Sequence, residues 1–206
     1  MGVFRAGHKY IVEKHIVLNE QIAPKRRIEQ IREQVAPHRE IGDIRKRLIP
    51  LSHHIKWAVT LQTNLIPATT AKSRENQMIS ISTGFSHFAS RLNYKYYGKV
   101  SRRKPETYSL LLLPITEGWL FNSNDGRTLH IHVGVGNIPS GYKHNEFRRE
   151  VRETWRKISI ARDDVDVRPA DSGFLDYIIK DLEKGCFEGY DLSMASIPYE
   201  VIPFRP

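Results

Sequence analysis

The order in which hydrophobic periodicity changes between residues 55 and 185 is what most limits the fold of this chain. "IKWAVTLQT" sets Ile55, Trp57, Val59 and Leu61 against Lys56, Ala58, Thr60 and Gln62, the two-residue alternation of a half-buried strand. "SISTGFSHFASRLNYKYYG" then places Phe85, Phe88, Leu92 and Tyr96 on one helical stripe. "YSLLLLPITEGWLF" returns to a β run, "NSNDGRT" supplies turn residues around Asp125-Gly126, and "LHIHVGVG" alternates again. "NEFRREVRETWRKI" turns Phe147, Val151, Trp155 and Ile158 inward as a helix, and "DDVDVRP" is a short strand closed by Pro169. "DSGFLDYIIKDLEKG" opens on a capping Asp or Ser and ends on Gly185. The order β-α-β-β-α-β-α implies an α+β domain of the split βαβ kind, ferredoxin-like or RRM-like. Its antiparallel sheet carries helices mainly on one face, plus one extra helix.

Residues 1–50 have another character. "RRIEQIREQV" spaces Ile28, Ile31 and Val35 helically among charges, and Pro24, Pro37 and Pro50 punctuate the stretch. We expect a basic helical N-terminal extension over 1–50, serving DNA contact or dimerisation, and a main domain over 51–206.

Charge points to the partner. The net charge is +9 and the isoelectric point about 9.7, which favours an anionic ligand. "RLNYKYYGKVSRRK" (91–104) holds six Lys/Arg and no acid, whereas residues 163–191 hold nine Asp/Glu against three Lys/Arg. In the basic stretch, Arg91, Lys95, Lys99, Arg102, Arg103 and Lys104 can track phosphates while Tyr94 and Tyr96 stack on bases. No apolar run approaches the roughly 20 residues of a membrane span. The start of the chain lacks the apolar block of a secretory signal. The single cysteine, Cys186, excludes an internal disulfide and a multi-cysteine zinc site. These features lead us to expect a cytoplasmic protein, monomeric or dimeric, with no membrane partner.

Histidine is an uncommon filler for a strand interior, yet His130 and His132 share one face of "LHIHVGVG". Their Cα atoms lie about 6–7 Å apart at a strand rise near 3.3 Å, close enough for both imidazoles to meet one divalent ion. If the hairpin turns at Asn124-Asp125, Glu117 faces His132 and Trp119 faces His130. Two imidazoles and a carboxylate suit Mn²⁺ or Mg²⁺ and leave positions open for a phosphate oxygen. The other reading of His-x-His is a pair of surface histidines on a solvated sheet. On "GFLDYIIKDLEKG", Phe174, Leu175, Ile178 and Leu182 form a buried stripe, and Tyr177 and Lys180 are neighbours on a different face. A phenol with a pKa near 10 needs help to attack at neutral pH, and an adjacent ammonium gives it. His53 and His54, adjacent in sequence, point to opposite faces and are no such pair.

"LHIHVGV" resembles the His-hydrophobic-His motif, and "DYIIK" the Tyr-x-x-Lys motif, of single-tyrosine HUH endonucleases. That family includes Rep proteins that start rolling-circle replication, and related transposases. "WAVTLQT" resembles the family's first strand motif, and the layout over residues 55–185 is similar to Rep-like proteins of small plasmids and filamentous phages. The resemblance implies that His130, His132 and Glu117 bind the metal, that Tyr177 is the nucleophile and that Lys180 is its electrostatic helper. Asp125, or an acid outside the motifs, is the alternative third ligand. It further implies metal-assisted transesterification on single-stranded or hairpin DNA, leaving a 5′-phosphotyrosine. Asp181 stands where two-tyrosine members carry a second nucleophile, which implies a one-tyrosine enzyme. The tyrosine follows the HUH strand, unlike that of most relaxases. No G-x-x-x-x-G-K-[ST] occurs, so unwinding falls to a host helicase. A transposase shares this chemistry. A non-catalytic RRM-like module is the reading of another class, and it requires aromatics on the sheet face.

Overall fold

The computed structural model describes residues 37–120, 125–171, 173–180 and 191–198. The helix expected around Ile28, the turn residue Asn124, Asp181, Leu182, Gly185 and Cys186 lie outside the described residues. The chain divides into two compact units, Met1–Gly42 and Asp43–Pro206, a boundary eight residues before the one expected at 50. The second unit contains the whole sheet.

Four strands form one antiparallel sheet: β1 (Ile55–Thr63), β2 (Leu111–Glu117), β3 (His130–Gly136) and β4 (Ala161–Pro169). Their order is β2-β3-β1-β4, with every neighbouring pair antiparallel. Helix α1 (Pro37–Ser52) precedes the sheet, and α2 (Ala71–Tyr97) and the short α3 (Val100–Arg103) join β1 to β2. Helix α4 (His144–Trp155) joins β3 to β4, and α5 (Phe174–Ile178) follows β4. The domain is therefore α+β with an antiparallel sheet, as the alternation of periods implies. No helix among the described residues is long and apolar enough to cross a membrane.

Strand parity divides the sheet into two faces. On one, Trp57, Val59, Leu61, Ile131, Val133, Val135, Val165 and Val167 meet Phe85, Phe88 and Leu92 of α2 and Phe147, Val151 and Trp155 of α4. This is the main core, where each fully buried side chain of this size contributes roughly 1.5–3 kcal/mol. Helix α2 is set between two stops. Thr70 accepts a hydrogen bond from the Ser73 amide at its start, and Gly98 (φ 60°) donates to the Tyr94 carbonyl at its end.

Ile55 departs from the expected alternation. The β1–β3 register is irregular between Ile55 and Trp57, so Ile55 turns to the second face, against Gly134. Both borders of the sheet are also modified. Leu112 of β2 exchanges two backbone hydrogen bonds with Ser196 on the side away from β3. Pro114, two residues on, turns its N–H-free nitrogen to that same side, where an edge strand tolerates proline. On β4, Arg162, Asp163, Asp164, Asp166 and Arg168 are exposed.

Candidate active site

The second face of β3 reads His130, His132, Gly134, Gly136, and the first two residues build the site with β2. Glu117 pairs with His130 across the ladder, and Ile115 pairs with His132. The expected register, with Glu117 opposite His132 and Trp119 opposite His130, is thus shifted by two residues. Gly118 explains the shift. It takes φ 104°, ends β2 and releases Trp119 from alternation into the main core, where the indole is fully buried. The side-chain grouping survives because a two-residue shift keeps every residue on its face.

His132 Nε2 lies 2.7 Å from Glu117 Oε2, and His130 Nε2 lies 3.6 Å from the same oxygen. The other carboxylate oxygen, Oε1, accepts from Lys180 Nζ at 2.8 Å. One ligand atom from each of Glu117, His130 and His132 falls within 4.8 Å of the other two, a spacing that could hold a metal ion. Asp125, the alternative ligand, is no member of this group. The mixed nitrogen and oxygen set fits a divalent cation with room for further oxygen ligands. Glu117 and His132 are buried, whereas His130 is partly open to solvent.

Two residues that the sequence did not disclose complete the arrangement. Thr60 of β1 pairs with His132, and its Oγ1 lies 3.1 Å from His132 Nδ1, so both ring nitrogens are held. Reading this contact from sequence requires the β1–β3 register, which alternation alone does not supply. Gly134 is the second. A Cβ there would stand 2.9 Å from Ile55 Cδ1 and 3.2 Å from Phe174 Cε1. The bare backbone thus seats Phe174 on the sheet, which fixes α5 beside the histidines. Its signal was present in the His-x-His-x-Gly spacing.

Phe174, Leu175, Ile178 and Ile179 bury one side of α5 and leave Tyr177 41% exposed. The Tyr177 ring meets the His132 ring edge-on at 5.2 Å, and Lys180 Nζ lies 3.7 Å from the centre of the phenol ring. Motifs distant in sequence therefore converge. Burial alone would raise the Glu117 pKa, but hydrogen bonds from His130, His132 and Lys180 outweigh it and hold the carboxyl far below its usual range. Burial also lowers the His132 pKa, against the opposing pull of Glu117. For Lys180 burial works downward, yet Glu117 and Tyr177 outweigh it and keep the ammonium charged.

The basic stretch divides into two sets. Arg91, Tyr94, Lys99, Arg102, Arg103 and Lys104 are exposed. Lys95 is exposed too, but it pairs with Glu150 (3.4 Å) and Glu153 (3.5 Å) of α4. Tyr96 packs on Tyr142 and Phe147, and burial and Glu150 raise the pKa of its hydroxyl. These two residues contact α4 or the segment before it, Lys95 while remaining exposed and Tyr96 while partly buried.

Comparison of the chain with family models, curated proteins and solved structures returns no match.

Proposed function

We propose that this chain is a metal-dependent endonuclease and strand transferase acting on single-stranded or hairpin DNA, with Tyr177 as its nucleophile. The observation that carries this reading is the convergence of His130, His132, Glu117, Lys180 and a half-exposed tyrosine at one end of one sheet face. A tyrosine that served only packing would have no reason to stand outside the buried stripe of α5, beside a lysine and two histidines.

Glu117, His130 and His132 would hold the ion, Mn²⁺ or Mg²⁺. Such an ion supplies Lewis-acid polarisation of a phosphate oxygen and neutralises developing charge. The protein's own residues do the rest. Tyr177 is exposed enough to approach a phosphodiester, and the Lys180 ammonium beside its ring would offset negative charge developing during the attack. Thr60 and Glu117 hold the His132 ring from both sides. The Tyr177 oxygen forms a bond to phosphorus while the bond from phosphorus to the 3′-oxygen breaks. The proton lost by the phenol is balanced by the one the 3′-hydroxyl gains. No nucleotide or other co-reactant is consumed, and the 5′-phosphotyrosine conserves the bond energy for rejoining. Initiating rolling-circle replication of a plasmid, phage or mobile element is the role this chemistry fits.

An RRM-like module without catalysis would stack bases on the central strands. Here β1 and β3 present Ala58, Thr60, Gln62, His130, His132 and Gly134 on the face in question, a His-x-His pair beside Glu117 with no phenylalanine, tyrosine or tryptophan among them to serve as a stacking platform.

The test is a pool of labelled single-stranded hairpin oligonucleotides incubated with Mn²⁺ or EDTA. A covalent adduct that needs metal and is lost in Tyr177→Phe supports the proposal. An adduct that persists in Tyr177→Phe, or none on the DNA of the element that encodes the chain, would overturn it.

A further inference from the structure

The exposed basic-aromatic surface lies far from the metal-ligating group. Tyr97 at the end of α2 donates its hydroxyl hydrogen to the Asn137 carbonyl, just past the end of β3. Asn137 Nδ2 donates to the Ser109 carbonyl at 2.7 Å, and the Leu110 amide donates to Asn93 Oδ1 at 2.7 Å. The segment between α2 and β2 is thereby pinned at the Gly136 end of the sheet. His130 opens the other end, and seven residues at about 3.3 Å separate it from Asn137 by roughly 23 Å. The faces differ as well, since α2 packs on the core face and the histidines occupy the other.

The surface has a definite form. Tyr94 is 42% exposed, and the Arg102 guanidinium carbon lies 5.1 Å from its ring centre. Arg91 is one helical turn behind Tyr94, and Lys99, Arg103 and Lys104 flank Arg102. Tyr108, also exposed, meets Tyr97 edge-on at 6.4 Å. Aromatic faces among several cations suit a ring-bearing polyanion better than a simple anion.

We propose that Tyr94 and Arg102 form a second contact for the DNA strand, distal to the phosphate that Tyr177 attacks. That separation sets a minimum length of single strand able to touch both points. The strand is held at two points, and cleavage occurs at only one. This rests on the proposal that DNA is the substrate of the histidine site.

The test is fluorescence anisotropy in Mn²⁺, with oligothymidylates from about 6 to about 30 nucleotides long. Anisotropy reads binding whether or not cleavage follows, so a failed adduct assay and a failed length series are separate results. The intact protein should show affinity rising steeply once the strand spans both points. Tyr94→Ala should weaken the longest strand by about 5- to 100-fold while barely changing the shortest. Arg102→Gln should also lower the slope of log affinity against log salt by about one, whereas Arg102→Lys keeps the slope. Unchanged long-strand affinity in Tyr94→Ala and Arg102→Gln would overturn the proposal. So would equal weakening at every length, the mark of a lone site unconnected to the first.

Discussion

Glu117 is shared among three neighbours, and that sharing governs what each can do. Its Oε2 serves both histidines and its Oε1 serves Lys180, so an ion held by the carboxylate would alter the lysine's surroundings as well. Both remote ring nitrogens have partners, Thr60 Oγ1 at 3.1 Å for His132 and the Thr128 carbonyl at 3.4 Å for His130. When Nδ1–H donates to the Thr60 hydroxyl, the Nε2 lone pair is the one left for a cation. Thr60→Val removes that acceptor at little change of shape. We expect Mn²⁺ affinity, measured by titration calorimetry, to fall about tenfold, with Thr60→Ser restoring it. Equal affinity in Thr60→Val would show that the hydroxyl does not orient the ring.

At the scale of elements, β3 works through its two glycines as much as through its two histidines. Gly134→Ala would press on two side-chain ends, Ile55 Cδ1 and Phe174 Cε1, which can yield by shifting α5. Gly136→Ala would meet the His54 backbone carbonyl oxygen at 2.0 Å, which has no rotamer to change. We therefore expect Gly136→Ala to be the more destabilising, at the upper end of the roughly 1–3 kcal/mol typical of overpacking or beyond it. Gly134→Ala should cost less stability and yet reduce the Tyr177 adduct. Urea denaturation beside the adduct assay separates the two, and the reverse order in stability would refute this ranking. The same strand shows what is legible in sequence. Alternation revealed which residues share a face, because parity is local. It could not reveal register, which Gly118 and the burial of Trp119 decide through contacts outside the strand. A bulge likewise moved Ile55 to the opposite face. On α2, consecutive residues turn by about 100°, so Tyr94 faces solvent while Lys95 and Tyr96 reach α4. A basic run on a helix is therefore not one surface.

For the whole molecule, the site ties stability to pH. In the metal-free protein His132 and Glu117 both have lowered folded pKa values. Below about pH 6.5 the unfolded chain protonates His132 while the folded ring resists, and below about pH 4.3 the same holds for Glu117. The unfolded state binds more protons in both windows. Stability is thus complete above the unfolded values and is lost as pH falls toward the folded ones. Thermal melts in EDTA should show Tm declining from about pH 7 to about pH 5, with His132→Gln flattening that part of the profile. A flat profile in the unaltered protein would contradict the burial of a neutral His132. The borders of the sheet carry a different consequence. Pro114 and the Ser196 bridge occupy one margin, and Arg162, Asp163, Asp164, Asp166 and Arg168 stud the other. Neither offers the clean ladder of donors and acceptors on which a foreign strand could zip. Copies at high concentration can therefore lie side by side without fusing into a continuous fibre through their sheet margins.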